Sequence, residues 1–413
     1  MRALVLGYGR SGKAAAVLLR ARGVEAVVLA DDEQDRIEGE GFDFAVVSPG
    51  IALTHKWIVE AKRRGIPLKS ELQLGCEELR RQGWKLLAVT GSKGKSSVVK
   101  IVAEAINLAG MKAVACGNYG TPVCEVAGRR EKGSGIGDRK WAVVEVSSFM
   151  METTELPSDT FEAAAILNLQ EDHLDRHGSV EVYHGLKRKL LKMAKAEYCG
   201  AETAPPHDGA ALWTGAYFDN EILAGNAAIA VELMRVAGLD EVVIGRAFRE
   251  FAPLPHRMNL VAKIDGVRYV DDSKATSLAA LVAGVRMVTP IAKDGVRGPE
   301  TEDGRRAKSI RLIAGGLPKG DDPKTALATL TERVKKVYLI GQSAEAFFAT
   351  WNGAVDCEIC GTMERAVEKA KREAEKGETV LLSPGTASFD QFQSYGERGD
   401  VFARLVKKEG QPK

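Results

Sequence analysis

The sequence predicts an α/β protein of three domains built on parallel sheets. The chain has 413 residues, which exceeds one ordinary domain and allows several buried cores. Short apolar strands are followed by glycine-rich turns and amphipathic helices in two places, and strands recur after Pro253 and Pro255. We predict an N-terminal domain over 1–82, a central domain over 83–251 and a C-terminal domain over 252–413.

Composition narrows the class of protein. The chain is 45% hydrophobic and 28% charged, with a formal net charge of +2, so we expect a globular protein with no nucleic-acid or membrane partner. The apolar run after Met1 stops at Gly7, and no run approaches the ~18 residues that span a bilayer. Six scattered cysteines favour a reducing cytoplasm, and Cys357 and Cys360 are interpreted as core packing. We expect a cytoplasmic monomer.

The N-terminal stretch "MRALVLGYGRSGKAAAVLLRARGVEAVVLADD" reads as strand, glycine turn, helix and strand, as in a Rossmann-like sheet. The turn "GYGRSG" fits G-x-G-x-x-G, in which backbone N–H groups at a helix N-terminus suit a diphosphate. Asp31 or Asp32, at the end of the second strand, would suit a ribose hydroxyl. Taken alone, the turn is compatible with a dinucleotide dehydrogenase or with a glycine turn that only closes a βα unit.

The second glycine-rich turn is more specific. In "VTGSKGKSSVVKIVAEAINLAG", Gly91, Gly94, Lys95 and Ser96 lie after a strand and before a helix. A phosphate loop occupies this position, with the lysine on the phosphates and the serine on magnesium. Val89 stands where the longer Walker pattern has its first glycine, so a lysine that caps an ordinary turn is the structural alternative.

Glu145 interrupts the apolar strand of "VVEVSSFMMET". A buried carboxylate requires a partner, and a magnesium ion held together with phosphate oxygens would supply one. The next strand end, "NLQEDHLDRHG", carries His173 among acidic residues and predicts a second metal or phosphate contact. The stretch "GLKRKLLKMAKAE" then reads as a solvated basic helix, and 289–309 as a charged, loop-like insertion.

The ordered set of motifs resembles the Mur ligase family, the ATP-dependent amide ligases of peptidoglycan precursor synthesis. The similar segments are "VTGSKGKSS", "GNYGTP", "EVSSF", "NLQEDHLDRHG", "PLPHR", "DDSKATS", "AGGLPKG" and "SPGTASFDQF". The resemblance implies a Rossmann-like N-terminal domain, a central phosphate-loop ATPase-like domain and a Rossmann-like C-terminal domain. The last motif, with "ERGDVFARLV" after it, is similar to members that add D-glutamate to UDP-N-acetylmuramoyl-L-alanine, forming ADP and phosphate through an acyl phosphate.

The resemblance also implies a site that binds ATP and two magnesium ions. The residues it assigns to ATP are Gly91, Ser92, Lys93, Gly94, Lys95, Ser96, Ser97, Asn226, Arg257, Asp272 and Lys274. The metal ligands would be Ser96, Glu145, His173 and Lys187, the last carried as a carbamate, which turns a repelling ammonium into an oxygen donor. The catalytic residues would be Lys95, His173, Lys187, His256 and Arg257.

Two further residue sets follow from the same resemblance. The UDP-linked substrate would contact Gly9, Arg10, Ser11, Asp31, Asn118 and Ser147, and D-glutamate would contact Thr276, Lys319, Ser388 and Tyr395. The chain departs from the family pattern at Lys93, at Ile222 and Leu223 on the adenine side, at Pro318 and at Tyr395. The stretch between Lys187 and Asn226 is shorter than in the family, which predicts a shortened central domain.

Two classes of function remain open on this basis. The first is an active D-glutamate-adding ligase. The second is another Mur-type ligase or a nucleotide-binding homologue with altered or lost catalysis, suggested by the shortened central domain. A dehydrogenase leaves the "GSKGKS" loop, Glu145 and "DDSKAT" without a role.

Overall fold

The computed structural model describes residues 1–30, 36–129, 140–200, 207–288 and 308–408. These residues form three sheets, which confirms the predicted α/β class. The sheets fall within the three predicted domain ranges, although those boundaries stay a prediction. The chain divides into two compact units, Met1–Phe218 with Ala224–Phe251, and Asp219–Leu223 with Ala252–Lys413. Asp31 and most of the predicted insertion, 289–307, lie outside the described residues.

The first sheet has four parallel strands in the order β2-β1-β3-β4. The elements of this part are β1 (Arg2–Leu6), α1 (Arg10–Ala21), β2 (Glu25–Leu29), β3 (Phe44–Val47), α2 (Lys56–Arg63), β4 (Leu68–Ser70) and α3 (Glu71–Arg81). Apolar residues fill β1 because the strand is central and buried on both faces.

The "GYGRSG" turn joins β1 to α1 through two glycines that each have a steric reason. Gly7 has a φ of +89°, and its carbonyl accepts a hydrogen bond from the Ser48 hydroxyl at 2.9 Å. A side chain at Gly12 would collide with that same carbonyl, so Gly12 lets α1 approach the turn. At Gly9 an added Cβ would meet no atom within 4 Å. Packing therefore explains the first and third glycines of the motif but leaves the second without a structural reason.

The second sheet has five parallel strands in the order β6-β7-β5-β8-β9. The elements are β5 (Lys85–Thr90), α4 (Lys95–Leu108), β6 (Lys112–Gly117), α5 (Val123–Gly128), β7 (Lys140–Glu145), α6 (Ser148–Met151), β8 (Phe161–Ile166), α7 (Leu174–His177), α8 (Val180–Leu191), β9 (Ala194–Cys199), a 3₁₀ helix (His207–Leu212), α9 (Ala224–Val236) and α10 (Glu241–Glu250). The carboxyl ends of parallel strands lie at one edge of a sheet, so the residues that follow β5, β7 and β8 lie close together at this edge.

The predicted basic helix was wrong at its C-terminal end. The helix α8 stops at Leu191, and the following residues form β9, which pairs in parallel with β8. A lysine, two alanines and a glutamate, all helix-forming residues, occupy this edge strand because pairing with β8 outweighs their intrinsic preference.

The third sheet has six strands in the order β10-β11-β15-β12-β13-β14, with only the β10–β11 pair antiparallel. The elements are β10 (Asn259–Ile264), β11 (Val267–Asp271), α11 (Leu278–Met287), β12 (Ile310–Gly315), a 3₁₀ helix (Pro323–Ala326), α12 (Leu327–Arg333), β13 (Val334–Ile340), α13 (Ala344–Trp351), β14 (Asp356–Gly361), α14 (Met363–Glu373), β15 (Thr379–Leu382) and α15 (Tyr395–Lys407). The sequence predicts the strands β11, β12, β13 and β15, in the segments "VRYVDDS", "SIRLIAGG", "VKKVYLIG" and "TVLLSPG". It does not predict the edge strands β10 and β14, in which polar residues interrupt the apolar pattern.

Separate apolar clusters fill the cores of the two units. One cluster joins residues of the first and second sheets, including Val5, Leu86 and Val144, so these two sheets share a core. Helices pack apolar residues on both faces of the third sheet, and the Cys357 and Cys360 thiols are buried there. Within the described ranges, no helix is both long and apolar enough to cross a membrane.

A buried carboxyl group contributes to the shared core. Glu71 begins α3 and is 1% exposed, and its Oε1 accepts a hydrogen bond from the backbone N–H of Cys124 at 2.6 Å. Burial raises the pKa of Glu71 from 4.5 to about 7, although the Cys124 N–H group opposes this shift. The folded protein therefore favours the uncharged form of the Glu71 carboxyl group.

Replacing Glu71 should change the pH dependence of stability. Because the folded pKa lies above the unfolded one, the stability supplied by the neutral acid is fully present below pH 4.5 and is lost as the pH rises to about 7. Glu71→Gln keeps an acceptor oxygen and cannot ionise, so it should raise the free energy of unfolding at pH 8 by roughly 2–3 kcal/mol relative to wild type. At pH 4 the two proteins should be similar.

Urea denaturation at both pH values measures this difference. Glu77→Gln is the matched control, because Glu77 lies on the same helix with a side chain that is 39% exposed. A Glu71→Gln protein that is less stable than wild type at pH 8 would show that ionised Glu71 stabilises the fold.

Candidate active site

The loop between β5 and α4 has a backbone that only glycine can adopt at two positions. Gly91 has a φ of +149° and faces Leu167, whose Cβ would lie 3.1 Å from an added Cβ. Gly94 has a φ of +85°, and a side chain there would collide with the amide of Asn226. The loop thus brings backbone N–H groups to the N-terminus of α4, where a phosphate can bind.

Side chains from the end of β8 fix the loop. The Asn168 amide accepts from the Lys93 N–H and donates to the Lys93 carbonyl, both at 2.9 Å. The Ser92 hydroxyl bonds to both backbone groups of Gln170 at 3.0 Å and lies 3.2 Å from the Tyr183 hydroxyl. Ser92 is therefore engaged inside the protein, whereas the Lys93 side chain is exposed. Asn168 was not predicted, and only its place after a strand could have indicated it.

The Lys95 side chain extends from the first turn of α4 back to this loop. Its Nζ donates to the Gly91 carbonyl at 2.8 Å and to the Ser92 carbonyl at 3.1 Å. Ser96 is half-buried and Ser97 is buried in the same turn. The ammonium group and the Ser96 hydroxyl are thus positioned where a phosphate and its metal ion would lie on a phosphate loop.

Glu145 ends β7, directly beside Val89 of β5, and is 2% exposed. Its Oε1 accepts from the Asn118 side-chain amide at 2.7 Å, and its carbonyl accepts from the Asn118 N–H at 2.9 Å. Its Oε2 is buried and has no hydrogen-bond partner among the described residues. A buried carboxylate oxygen without a donor is costly unless a cation reaches it, so this atom fits a metal ligand.

Lys187 overturns the interpretation of α8 as a solvated helix. Lys187 is 2% exposed, its Nζ donates to the Gly91 carbonyl at 3.1 Å, and it lies 4.4 Å from the centroid of the Tyr183 ring. Burial lowers the pKa of Lys187 to about 7, with a further lowering from Lys95. Lys189 on the same helix is half-buried and forms an ion pair with the exposed Glu155. The exposed residues Arg188 and Lys192 fit the solvated interpretation.

His173 lies at the edge of the same group. It precedes α7 with a φ of +52°, a strained conformation for a residue with a side chain, and its side chain is 48% exposed. The ring centroid lies 4.9 Å from that of Phe149 and 6.2 Å from that of Tyr183. Tyr183, which was not predicted, therefore lies between His173 and Lys187.

A second network under this edge also escaped prediction. The His177 side chain is 1% exposed, and its Nε2 lies 3.0 Å from the Ser148 hydroxyl. Burial lowers the pKa of His177, although Glu152 opposes this effect. Arg176 donates to Glu152 at 2.6 Å and to the Ile51 carbonyl at 2.8 Å, which ties the loop after β3 to the site.

The described residues that were predicted to bind the UDP-linked substrate all belong to the first unit of the chain. The Arg10 guanidinium donates to the Gly120 carbonyl at 3.0 Å, so the "GYGRSG" and "GNYGTP" segments meet. Ser147 caps α6 by accepting from the Met150 N–H at 3.3 Å. Gly9 precedes α1 and Ser11 is half-buried in its first turn, whereas Asp31 lies outside the described residues.

The second unit brings together several residues predicted for ATP and D-glutamate. The Lys274 N–H donates to the His256 carbonyl at 3.0 Å, and the Lys274 Nζ lies 3.8 Å from the Tyr395 ring centroid. Asp272 is buried and accepts from the Ser383 hydroxyl at 2.9 Å, and burial raises its pKa to about 7. Of the other predicted residues, Ser388 is buried, Arg257 and Thr276 are half-buried, and Lys319 is exposed.

Fold and loop together define a nucleotide-binding α/β protein of the phosphate-loop class. A family model described as the Mur ligase middle domain matches residues 89–201, from β5 to the end of β9. The chain is 31% identical over 438 residues to the UDP-N-acetylmuramoylalanine–D-glutamate ligase of Chlamydia caviae, covering 98% of this chain and 97% of that protein. It is 33% identical over 473 residues to the ligase of the same name from Acidobacterium capsulatum, covering 98% and 95%. The chain therefore belongs to the Mur ligase family.

A solved structure agrees at the level of the fold. The MurF ligase of Thermotoga maritima in complex with ADP superposes with a TM-score of 0.54 at 14% sequence identity, covering 92% of this chain and 96% of that one. The likeness extends over all three sheets.

The contact between Gly94 and Asn226 can be tested by substitution. Gly94→Ala places a Cβ in a left-handed backbone and against the Asn226 amide, so it should lower the free energy of unfolding by about 2–3 kcal/mol. Gly110→Ala is the matched control, because Gly110 follows the same helix with a φ of +78° but has no atom within 4 Å of an added Cβ. Chemical denaturation compares the two variants, and equal losses would mean that the Asn226 contact adds nothing beyond backbone strain.

Proposed function

We propose that this chain joins D-glutamate to UDP-N-acetylmuramoyl-L-alanine at the expense of ATP, a step of peptidoglycan precursor synthesis. ATP phosphorylates the alanyl carboxylate, and the amine of D-glutamate then displaces phosphate from the acyl phosphate. The observation that carries this proposal is the Gly91 carbonyl, which accepts from both Lys95 and Lys187, together with the buried Oε2 of Glu145, which has no hydrogen-bond partner among the described residues. The full-length relatives named for this reaction support it.

The donor set at this edge suits two magnesium ions. Glu145 has a buried oxygen that requires a cation, and the Ser96 hydroxyl adds a second hard oxygen. His173 and a carbamylated Lys187 would serve the second ion. When bound, the ions neutralise charge on the phosphoryl group and so stabilise its transfer.

The Lys95 ammonium would be the positive charge that changes its position when ATP binds. Its Nζ donates to two backbone carbonyls of the loop, which are neutral acceptors. Phosphate oxygens are stronger acceptors for an ammonium than neutral carbonyls, so Lys95 would turn toward bound ATP. Together with the loop N–H groups, it would follow the charge that develops during transfer.

Lys187 is suited to become a carbamate. A neutral amine reacts with carbon dioxide to give a carbamate and one released proton, and the burial of Lys187 beside Lys95 favours the neutral amine. The product places an anionic oxygen donor against the loop where a cation would otherwise repel magnesium. It would also remove the cost of a buried ammonium that has one backbone carbonyl acceptor and one aromatic ring.

The remaining residues would bind the three substrates. Asn226, Arg257, Asp272 and Lys274 would contact ATP, and Gly9, Arg10, Ser11, Asp31, Asn118 and Ser147 would contact the UDP-linked substrate. D-glutamate carries two carboxylates, which require cations and hydroxyl groups, and Thr276, Lys319, Ser388 and Tyr395 offer both. His256 would be one of the catalytic residues and, with Arg257, would close over the nucleotide.

The reaction is tested by phosphate release. Release by the wild-type protein should require both UDP-N-acetylmuramoyl-L-alanine and D-glutamate. Lys95→Ala should reduce turnover at least about 100-fold, since removing such electrostatic stabilisation costs on the order of 3 kcal/mol. Lys100→Ala, which alters a lysine further along α4, should retain most of the activity. Near wild-type release by Lys95→Ala would contradict the phosphate-loop assignment.

Carbamylation of Lys187 is tested by chemical rescue. Lys187→Ala should be nearly inactive, and a high concentration of acetate should restore part of the rate by placing a carboxylate in the vacated position. Lys189→Ala, two positions along the same helix, should keep most of its activity and show no acetate effect. Full activity of Lys187→Ala, or an acetate response in both variants, would rule out the carbamate role.

A further inference from the structure

An aspartate–histidine pair in the second unit has a geometry suited to proton transfer. The Nδ1 of His256 lies 2.7 Å from Oδ2 of Asp271, a hydrogen bond in which the ring nitrogen donates to the carboxylate. The Asp271 side chain is 4% exposed and the His256 side chain is 16% exposed. The aspartate is thus enclosed, while the ring retains access to solvent.

Neighbouring elements fix both members of the pair. The second oxygen of Asp271 accepts from the Ser273 N–H at 2.9 Å, so the carboxylate cannot rotate without losing a bond. His256 has a φ of +58°, and its carbonyl accepts from the Lys274 N–H. A side chain at Gly399 of α15 would collide with the His256 Nδ1 and lie 2.6 Å from Oδ2 of Asp271. The helix can therefore cover the pair only because residue 399 is glycine.

This arrangement leaves the opposite ring nitrogen available. Since Nδ1 donates to Asp271, Nε2 carries a lone pair in the neutral ring and can accept a proton. Oδ1 of the exposed Asp400 lies 3.9 Å from Nε2, and the Tyr395 ring centroid lies 6.2 Å from that of His256.

The other charged groups around the pair have partners of their own. The ammonium of Lys274 lies over the Tyr395 ring, and the Arg398 guanidinium donates to Ser273 and to the carbonyls of Thr386 and Ala387. Asp272 is bonded to the Ser383 hydroxyl, and Arg257 follows His256 in the same turn. The carboxylates of Asp271 and Asp400 are the charged groups that face the two ring nitrogens of His256.

We propose that Asp271 is a positioning residue that orients His256 so that its Nε2 removes a proton from the ammonium group of D-glutamate. This inference rests on the proposed function, in which the amine must become neutral before it attacks. An α-ammonium group is largely protonated at neutral pH and has no lone pair to donate. His256 lies beside Tyr395 and Lys274, within the part of the unit to which D-glutamate and ATP residues were assigned.

The proton and electron balance is complete without another reactant. One proton passes from the ammonium to Nε2, and the freed lone pair forms the C–N bond as the C–O bond to the phosphoryl group breaks. The second proton of the attacking amine leaves with the phosphate. The imidazolium later returns its proton to solvent, for which its partial exposure is sufficient.

The substitution Asp271→Asn tests the positioning role. Asparagine can still accept from the Ser273 N–H, but its NH₂ group then faces Nδ1 and makes that nitrogen the acceptor. The ring proton of His256 then moves to Nε2, so this nitrogen can no longer act as a base, although the two side chains keep their shape. At pH 7 the kcat for D-glutamate ligation should fall about 100-fold. The difference in kcat between Asp271→Asn and wild type should decrease as the pH rises toward 9, because a larger fraction of the D-glutamate amine is then neutral without a base.

Hydroxylamine separates this step from acyl phosphate formation. It is largely unprotonated at neutral pH and attacks acyl phosphates directly, so hydroxamate formation from ATP and UDP-N-acetylmuramoyl-L-alanine should change less than about threefold in Asp271→Asn. Asp400→Asn is the control for charge near Nε2, since Asp400 is 80% exposed and does not contact Nδ1. It should alter ligation less than about threefold.

Each outcome has a distinct meaning. Failure of the wild-type protein to form hydroxamate would overturn the proposed function, whereas equal losses of ligation and hydroxamate formation in Asp271→Asn would overturn only the role of the pair. A ligation defect that stays constant from pH 7 to pH 9 would also overturn it, because a purely structural defect has no reason to follow amine protonation. Thermal unfolding of the variant, compared with wild type, identifies loss of the fold as the cause of any equal loss.

Discussion

The candidate site depends on one backbone carbonyl, that of Gly91, which accepts hydrogen bonds from two lysine ammonium groups. Two cations this close repel one another, and burial of Lys187 increases the cost. Anionic groups near the two ammonium groups, or the loss of charge by one lysine, lower this cost. On the neighbouring strand, the buried Oε2 of Glu145, which lacks a hydrogen-bond partner within the described part of the chain, presents the complementary cost. The phosphates, metal ions and carbamate proposed for this site would lower both costs together.

The fold supplies this arrangement through the edge of a parallel sheet. Residues that follow β5, β7 and β8 meet because neighbouring parallel strands end on the same side. Asn168 and Tyr183 form hydrogen bonds with the loop, and Asn118, at the adjoining strand end, forms one with Glu145. These three side chains hold the loop and the carboxylate of Glu145 in place through hydrogen bonds. Arg176 extends the same support to the loop after β3 of the first sheet.

Much of the fold could be read from the sequence because buried parallel strands leave a strong apolar signal. The glycine-rich turns were equally readable, since Gly7, Gly91 and Gly94 adopt positive φ angles that other residues avoid. The edge strands β9, β10 and β14 were missed. Their residues are polar or helix-forming, and they become strands only because a neighbour pairs with them. No local pattern carries that information.

Sequence by itself determined the class of chemistry: a glycine loop followed by Lys95 and Ser96, a carboxylate in an apolar strand, and an ordered series of motifs along the chain. Only the tertiary structure decided which lysine of α8 enters the site. Lys187 and Lys189 are alike in composition and lie two residues apart, yet one is buried against Gly91 and the other pairs with Glu155 at the surface. Residues two apart point to different sides of a helix, and which side faces the loop is set by how α8 packs on the sheet.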